Sequence, residues 1–307
     1  MKIKKLIFTT GFISTSFLTV FLSNKLKFEK NVLNHSTYNK VHDGIIIAHR
    51  GFSSIYVENS AKAVKKGFEL PCCDGVEVDV RLTKDGKVVL SHDPYVNGIG
   101  LINDCKYKDI KNDKYSSEKK MISIKSYLMK KDGNLLVNRT NTVQSSEEKI
   151  SLLTKVVDDN NCNKILIVDI KFDDDEEVLM DKINNIFEDY NECLNIIFQS
   201  DNYKELSLMK EKFPNYDYQL IIKKNKDLKY LDSEFNYFCI RKNLITKDLV
   251  DDAKKNNNRI CVWTINSYDD YKSLKKKLDD RINDVYIISD YPDEICYLNN
   301  KTLRLKK

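Results

Sequence analysis

Eight short apolar runs, rich in β-branched residues and separated by charged stretches, constrain what this chain can fold into. They span residues 45–48, 75–80, 165–169, 194–198, 219–222, 237–240, 260–263 and 285–288. Each is apolar at successive positions rather than alternate ones, so each is a strand buried on both faces. Parallel strands need crossovers of a dozen or more residues, and intervening stretches such as 174–190 and 268–277 have roughly the length and charge of covering helices. Eight such units in succession predict an α/β chain folded as a (β/α)8 TIM barrel over residues 44–300.

A ninth run, 87–91, does not fit the crossover rhythm, because only Thr83-Lys84-Asp85-Gly86 joins it to the second run. That tetrapeptide is a tight-turn signal, so the run should return antiparallel as a hairpin extension of strand 2. With Lys84 and Asp85 as the loop, His92 falls opposite Glu77, and Leu90 shares the face of Glu77 and Asp79. A bulge at Gly86 would slip the pairing by one. Residues 94–149, rich in Lys, Asn, Ser and Asp, form an insertion after the hairpin. A length like that suits a lid or small subdomain as well as a solvated excursion.

Chemistry-bearing side chains gather at the ends of these runs. His49 and Arg50 close the first. Glu77 and Asp79, two apart on the second, face one way, while His92 ends the hairpin and Asp169 the third run, with Lys171 just beyond. Val76, Val78 and Val80 make the opposite face of the second strand apolar too, so a solvent-facing acidic pair does not account for the carboxylates. Glu77, Asp79 and Asp169 offer oxygen ligands to one hard divalent cation, Ca2+ or Mg2+. His49 and His92 titrate near neutrality and suit the base and the acid. Arg50 suits bidentate phosphate contact and Lys171 offers a compact charge. Together they fit metal-assisted cleavage of a phosphodiester, whose charge must be offset and whose leaving oxygen must be protonated.

The net charge of +5 is interleaved with acidic residues, and no zinc-finger, RNP-like or Walker motif occurs, so no nucleic-acid partner is expected. None of the eight cysteines forms a C-x-x-C pair, which argues against a structural zinc site. Their irregular spacings reveal no disulfide framework, and most are expected to be free. Residues 1–23 carry MKIKK and then an uncharged apolar stretch, expected to be an uncleaved membrane anchor or a cleaved signal. Residues 24–43 are polar and read as a tether. The body is then expected outside the cytoplasm, held at the cell membrane or secreted.

Over residues 44–296 the ordered motifs His49-Arg50-Gly51, Glu58-Asn59, Glu77-x-Asp79-Val80, Thr83-Lys84-Asp85-Gly86, His92-Asp93, Asp169-Ile170-Lys171, Gln199-Ser200, Trp263-Thr264-Ile265-Asn266 and Ser289-Asp290-Tyr291-Pro292 resemble the glycerophosphodiester phosphodiesterase family. The resemblance implies a divalent cation and cleavage of a glycerophosphodiester, or a lysophospholipid-type relative, to glycerol 3-phosphate and an alcohol. It implies a first attack by the substrate's own 2-hydroxyl, giving a cyclic phosphate that water opens. It brings Glu58 near the metal or the glycerol hydroxyls, although Glu58 could equally cap the helix beginning near Asn59. Trp263 becomes a wall for the glycerol backbone, or else a core residue.

The sequence departs from the family at Asp169, where Glu is usual, at Tyr95-Val96-Asn97-Gly98, and at Asp201, where an aromatic is expected. None of these removes a catalytic group. Two other readings are a phospholipase D-like enzyme on the same barrel that releases a cyclic phosphate, and a non-catalytic module that binds phosphate-bearing polymers.

Overall fold

The computed structural model describes residues 44–96, 98–112, 114–115, 148–158, 164–173, 175–188 and 195–296. The strands before the gap in the insertion are β1 (Ile45–His49), β2 (Gly75–Leu82), β3 (Val88–Leu90), β4 (Tyr95–Val96), β5 (Gly100–Leu101) and β6 (Lys114–Tyr115). After it come β7 (Glu148–Lys149), β8 (Ile165–Ile170), β9 (Asn195–Ser200), β10 (Asp217–Ile222), β11 (Tyr237–Arg241), β12 (Arg259–Trp263) and β13 (Val285–Ser289). Hydrogen bonding runs β1-β13-β12-β11-β10-β9-β8-β2, and a further β1–β2 pairing closes the ring. All eight neighbours around it are parallel, as the runs apolar on both faces required.

Alternation within each strand divides two cores. Ile47, Ile167, Ile197, Ile221, Cys239, Cys261 and Ile288 fill the lumen. The opposite parity, with Ile46, Val76, Val78, Leu166, Val168, Phe198 and Phe238 among it, packs outward in the larger core beneath the helices. The covering helices include Ala61–Phe68, Glu176–Glu188, Tyr203–Lys212, Lys247–Lys255 and Tyr268–Leu278. Four begin on capping side chains: Ser60, Asn202, Thr246 and Ser267 accept from Ala63, Glu205, Leu249 and Asp270 N–H. Between β10 and β11 the cover is instead a 3-10 stretch, Asn225–Asp232.

The hairpin register differs from the simple expectation. Val80 pairs with Leu90, Arg81 with Val89 and Leu82 with Val88, so the ladder has slipped by one. The cause is the third loop residue: Gly86 sits at φ 71°, a left-handed conformation that glycine adopts freely, and its N–H bonds to Thr83 O at 2.9 Å. Leu90 therefore shares a face with Val80 rather than with the acids. Ser91, not Leu90, lies beside Asp79, its N–H donating to Asp79 O at 3.0 Å, and His92 is not opposite Glu77.

The described ends of the insertion pack back on this hairpin in a small core of Val89, Val96, Ile102, Ile110 and Ile150. Among the described residues one pair of cysteines is joined: Cys72, just before β2, bonds to Cys296 after β13, 224 residues away. Cys73, Cys105, Cys239 and Cys261 are free. The expected anchor, the tether and residues 116–147 lie outside the described residues. Among the described residues no helix is long and apolar enough to cross a membrane.

Candidate active site

The turn after β1 builds the first part of the site. Arg50 (φ 57°) and Gly51 (φ 80°) both take left-handed conformations. At Gly51 a Cβ would come within 2.5 Å of the Ala63 carbonyl carbon, so only glycine lets the turn lie against the first helix. The turn points Arg50 N–H at Glu77 Oε2, 2.9 Å away. Its guanidinium donates to Glu58 Oε1 at 2.8 Å and lies 3.1 Å from Asp79 Oδ2, an ion contact whose N–H is poorly aligned for a hydrogen bond. Glu58 thus partners Arg50, and the helix cap is Ser60. Asn59, also left-handed at φ 55°, brackets Asp79: its Nδ2 donates to Oδ2 at 2.8 Å and its Oδ1 accepts from Asp79 N at 3.0 Å.

His49, at the end of β1, donates from Nδ1 to Asp290 Oδ1 at 2.5 Å, leaving Nε2 on the side of Glu77, 3.8 Å away. Asp290 is held in turn by Asn266 Nδ2 at 2.6 Å. Burial opposes the charged ring, but Asp290 and Glu77 outweigh it and raise the His49 pKa above its ordinary 6.5. Lys171 reaches Asp79 Oδ1 at 2.9 Å and Asp169 Oδ2 at 2.6 Å.

Glu77, Asp79 and Asp169 are all buried, and they bring carboxylate oxygens within 4.8 Å of one another. Asp79 and Asp169 are direct register partners across β2 and β8. The shorter side chain at 169 therefore still reaches the shared point. Burial and the neighbouring Asp79 push the Glu77 carboxyl up to about 8, with Asp169 adding to the repulsion. Asp169 is raised by burial in spite of Lys171. Asp79, although buried, is held well below the usual carboxylate range by Lys171, Arg50 and the charge of His92, and by the Asn59 hydrogen bond. Such an all-oxygen cluster, short of positive charge at Glu77, fits a divalent cation. Gln199, opposite Asp169 on β9, adds a buried Oε1 with no partner among the described residues.

His92 sits beyond the hairpin ladder, its side chain 42 % exposed, with Nδ1 2.9 Å from Asp93 Oδ1. Its backbone is clamped. Arg81 donates to His92 O from Nη2 at 2.6 Å and from Nε at 3.2 Å, and also pairs with Asp173. Trp263 stands across the mouth, its Nε1 donating to Cys239 O at 3.2 Å, and lines a cleft of about 360 Å³. Arg50 and Lys171 are thus drawn onto the carboxylates, while Trp263 belongs to another wall. Asn59, Arg81, Asp290 and Asn266 were not among the expected site residues. Arg81 had a signal, since it shares the parity of Glu77 and Asp79 on β2. The other three lay inside the quoted motifs.

Residues 49–294 match the family model described as "Glycerophosphoryl diester phosphodiesterase family". The chain belongs to this family. It is therefore a phosphoric diester hydrolase, and the non-catalytic reading is set aside. A glycerophosphodiester phosphodiesterase of Caldanaerobacter subterraneus is 26 % identical over 275 residues, covering 84 % of this chain and 98 % of that protein. The crystal structure of a glycerophosphodiester phosphodiesterase from Thermotoga maritima shares the fold with a TM-score of 0.60 and 23 % identity, over 84 % of this chain and 99 % of that one. An Oleispira antarctica phosphodiesterase, solved with its product sn-glycerol-3-phosphate, has a TM-score of 0.58 and 20 % identity, over 82 % and 94 %.

Proposed function

We propose that this phosphodiesterase acts on glycerophosphodiesters with one Ca2+ or Mg2+ held by Glu77, Asp79 and Asp169, and with His49 and His92 moving the protons. The observation that carries the reading is the buried oxygen trio beside an imidazole tethered by Asp290. When bound, the cation offsets phosphoryl charge and polarises a phosphoryl oxygen.

His49, its Nδ1 committed to Asp290, presents Nε2 as the base that takes the proton of the glycerol 2-hydroxyl. The hydroxyl oxygen bonds to phosphorus as the bond to the alcohol breaks, and His92 gives that alcohol its proton. Water then opens the cyclic phosphate with the proton roles reversed. Arg50 and Lys171 hold the acids in place and set positive charge beside the phosphate.

Phosphorus NMR of a glycerophosphodiester digest tests this reading. Glycerol 3-phosphate should accumulate. A cyclic phosphate that persists would instead mark the phospholipase D-like reaction, and no turnover of any glycerophosphodiester would overturn the proposal.

The reading includes a body outside the cytoplasm, at the membrane through residues 1–23 or released after their cleavage. The Cys72–Cys296 disulfide supports it, because such bonds persist in oxidising compartments. Protease added to intact cells should digest the barrel; complete protection would refute this location.

A further inference from the structure

Away from the acids, the described part of the mouth holds a cation of a different kind, Arg241. Tyr237, Cys239 and Arg241 alternate along β11; Cys239 lies in the lumen core and Tyr237 packs against it, so Arg241 emerges on the lumen side at the mouth. Its register partner is Trp263. The two line the cleft of about 360 Å³ together with Lys242, Asn266, Asp270 and Tyr291. Asn266 also holds Asp290, so the cleft adjoins the group that anchors His49.

Nearby cations are already engaged. Lys242 pairs with Asp270 at 2.7 Å, Lys223 pairs with Asp201, and Arg50 and Lys171 lie on the site acids. The guanidinium of Arg241 has no hydrogen-bond or ion-pair partner among the described residues. A planar fork of donors matches a carboxylate or phosphate, and here it has nothing to pair with.

We infer that this cleft reads a second anionic group on the substrate, beyond the scissile phosphate, with Arg241 as its partner and Trp263 as its apolar wall. The inference rests on the proposed phosphodiesterase reaction and names its substrate class. The shared chemistry is an oxyanion. It can be the carboxylate of an amino-acid alcohol, as in glycerophosphoserine, or the next phosphate of a glycerol-phosphate oligomer. A neutral glycerol leaves Arg241 unpaired, and a choline headgroup brings a cation against Arg241 and Lys242. Sites built to pair a polar group discriminate strongly against analogues that lack it.

Steady-state kinetics on glycerophosphoserine, a glycerol-phosphate oligomer, glycerophosphoglycerol and glycerophosphocholine test this with the full chain and with Arg241→Gln and Arg241→Glu. At least one anionic substrate should exceed glycerophosphoglycerol in kcat/KM by about tenfold or more, and which one does identifies the source of the oxyanion. The preference should shrink in Arg241→Gln and fall further in Arg241→Glu, chiefly through KM. Arg241 is exposed, so both variants should keep the parent melting temperature. Equal efficiencies in the parent enzyme, or a preference untouched by either variant, would overturn the subsite and leave the phosphodiesterase reading standing. Failure to turn over all four substrates would remove both.

Discussion

Along β1, β2 and β8 the charged groups at the barrel mouth are fastened to one another, whereas along β9, β10 and β11 the Lys223–Asp201 pair stands beside polar groups that are not. In the first arc Arg50, Lys171 and His49 are each fastened to Glu58, Glu77, Asp79, Asp169 or Asp290. In the second, Gln199 Oε1, both amide atoms of Gln219, and Arg241 have no protein partner among the described residues. Fastened groups are preorganised and change little when substrate arrives, which suits the reacting centre. Unfastened polar groups gain most from a ligand, which suits selection. On the proposed reading, fastened groups carry the reaction and unfastened ones the choice of substrate, around a single mouth.

Changes in the fastened arc should weigh most. His49→Ala removes the tethered imidazole and should cut kcat by about a thousandfold, on the scale of lost acid–base catalysis, while the protein still folds. Arg81→Met should come next. It frees the His92 carbonyl and should lower kcat by about tenfold to a hundredfold, a misplacement effect, with little change in KM. Arg81→Lys should restore part of that loss. If both variants moved KM and not kcat, the clamp would not be positioning His92.

Asp290→Asn should have a smaller effect, visible as a shift in pH dependence. His49 is raised above 6.5 by Asp290 and Glu77, so losing the carboxylate lowers its pKa and moves the acidic limb of kcat/KM to lower pH. Asp290 is held below its ordinary 3.8: burial opposes this, but His49 and the Asn266 hydrogen bond prevail. The pair accordingly stabilises the fold most between about 3.8 and 6.5, fading as pH falls through the Asp290 value or rises through that of His49. Asp290→Asn should flatten this window in thermal melts.

The smallest effect on activity should come from Cys72→Ala with Cys296→Ala. The disulfide joins the segment before β2 to the segment after β13, at the end of β2 away from the mouth. Its loss should cost about 3–5 kcal/mol and lower the melting temperature by about 10 °C, with kcat unchanged at low temperature.

How much of this was readable beforehand depended on the range of each signal. The staves were legible because an apolar run such as 165–169 can only be buried on both faces, and their ends put Glu77, Asp79 and Asp169 at one level. The hairpin register was open between a two-residue loop and a slip by one at Gly86, and Gly86, free to take φ 71°, lengthens the loop by one residue. Arg81 was in the right parity, yet an arginine on a strand does not announce that it will hold a carbonyl eleven residues away. Glu58 was open between capping and the metal, and its nearest cation, Arg50, settled it elsewhere. The 224-residue separation of Cys72 and Cys296 leaves no local trace at all. Arg241 was invisible for a different reason: its distinction is the absence of partners, which only the packed mouth reveals.

The central claim is that the buried carboxylates work by holding a cation. The most direct test strips the enzyme with chelator, restores Ca2+ or Mg2+, and follows glycerophosphodiester hydrolysis alongside calorimetric titration of the same ions. The parent protein should bind one ion and lose and regain activity with it, while Glu77→Gln should bind far more weakly and remain inactive. Undiminished turnover after complete chelation, or unchanged ion affinity in Glu77→Gln, would contradict the account.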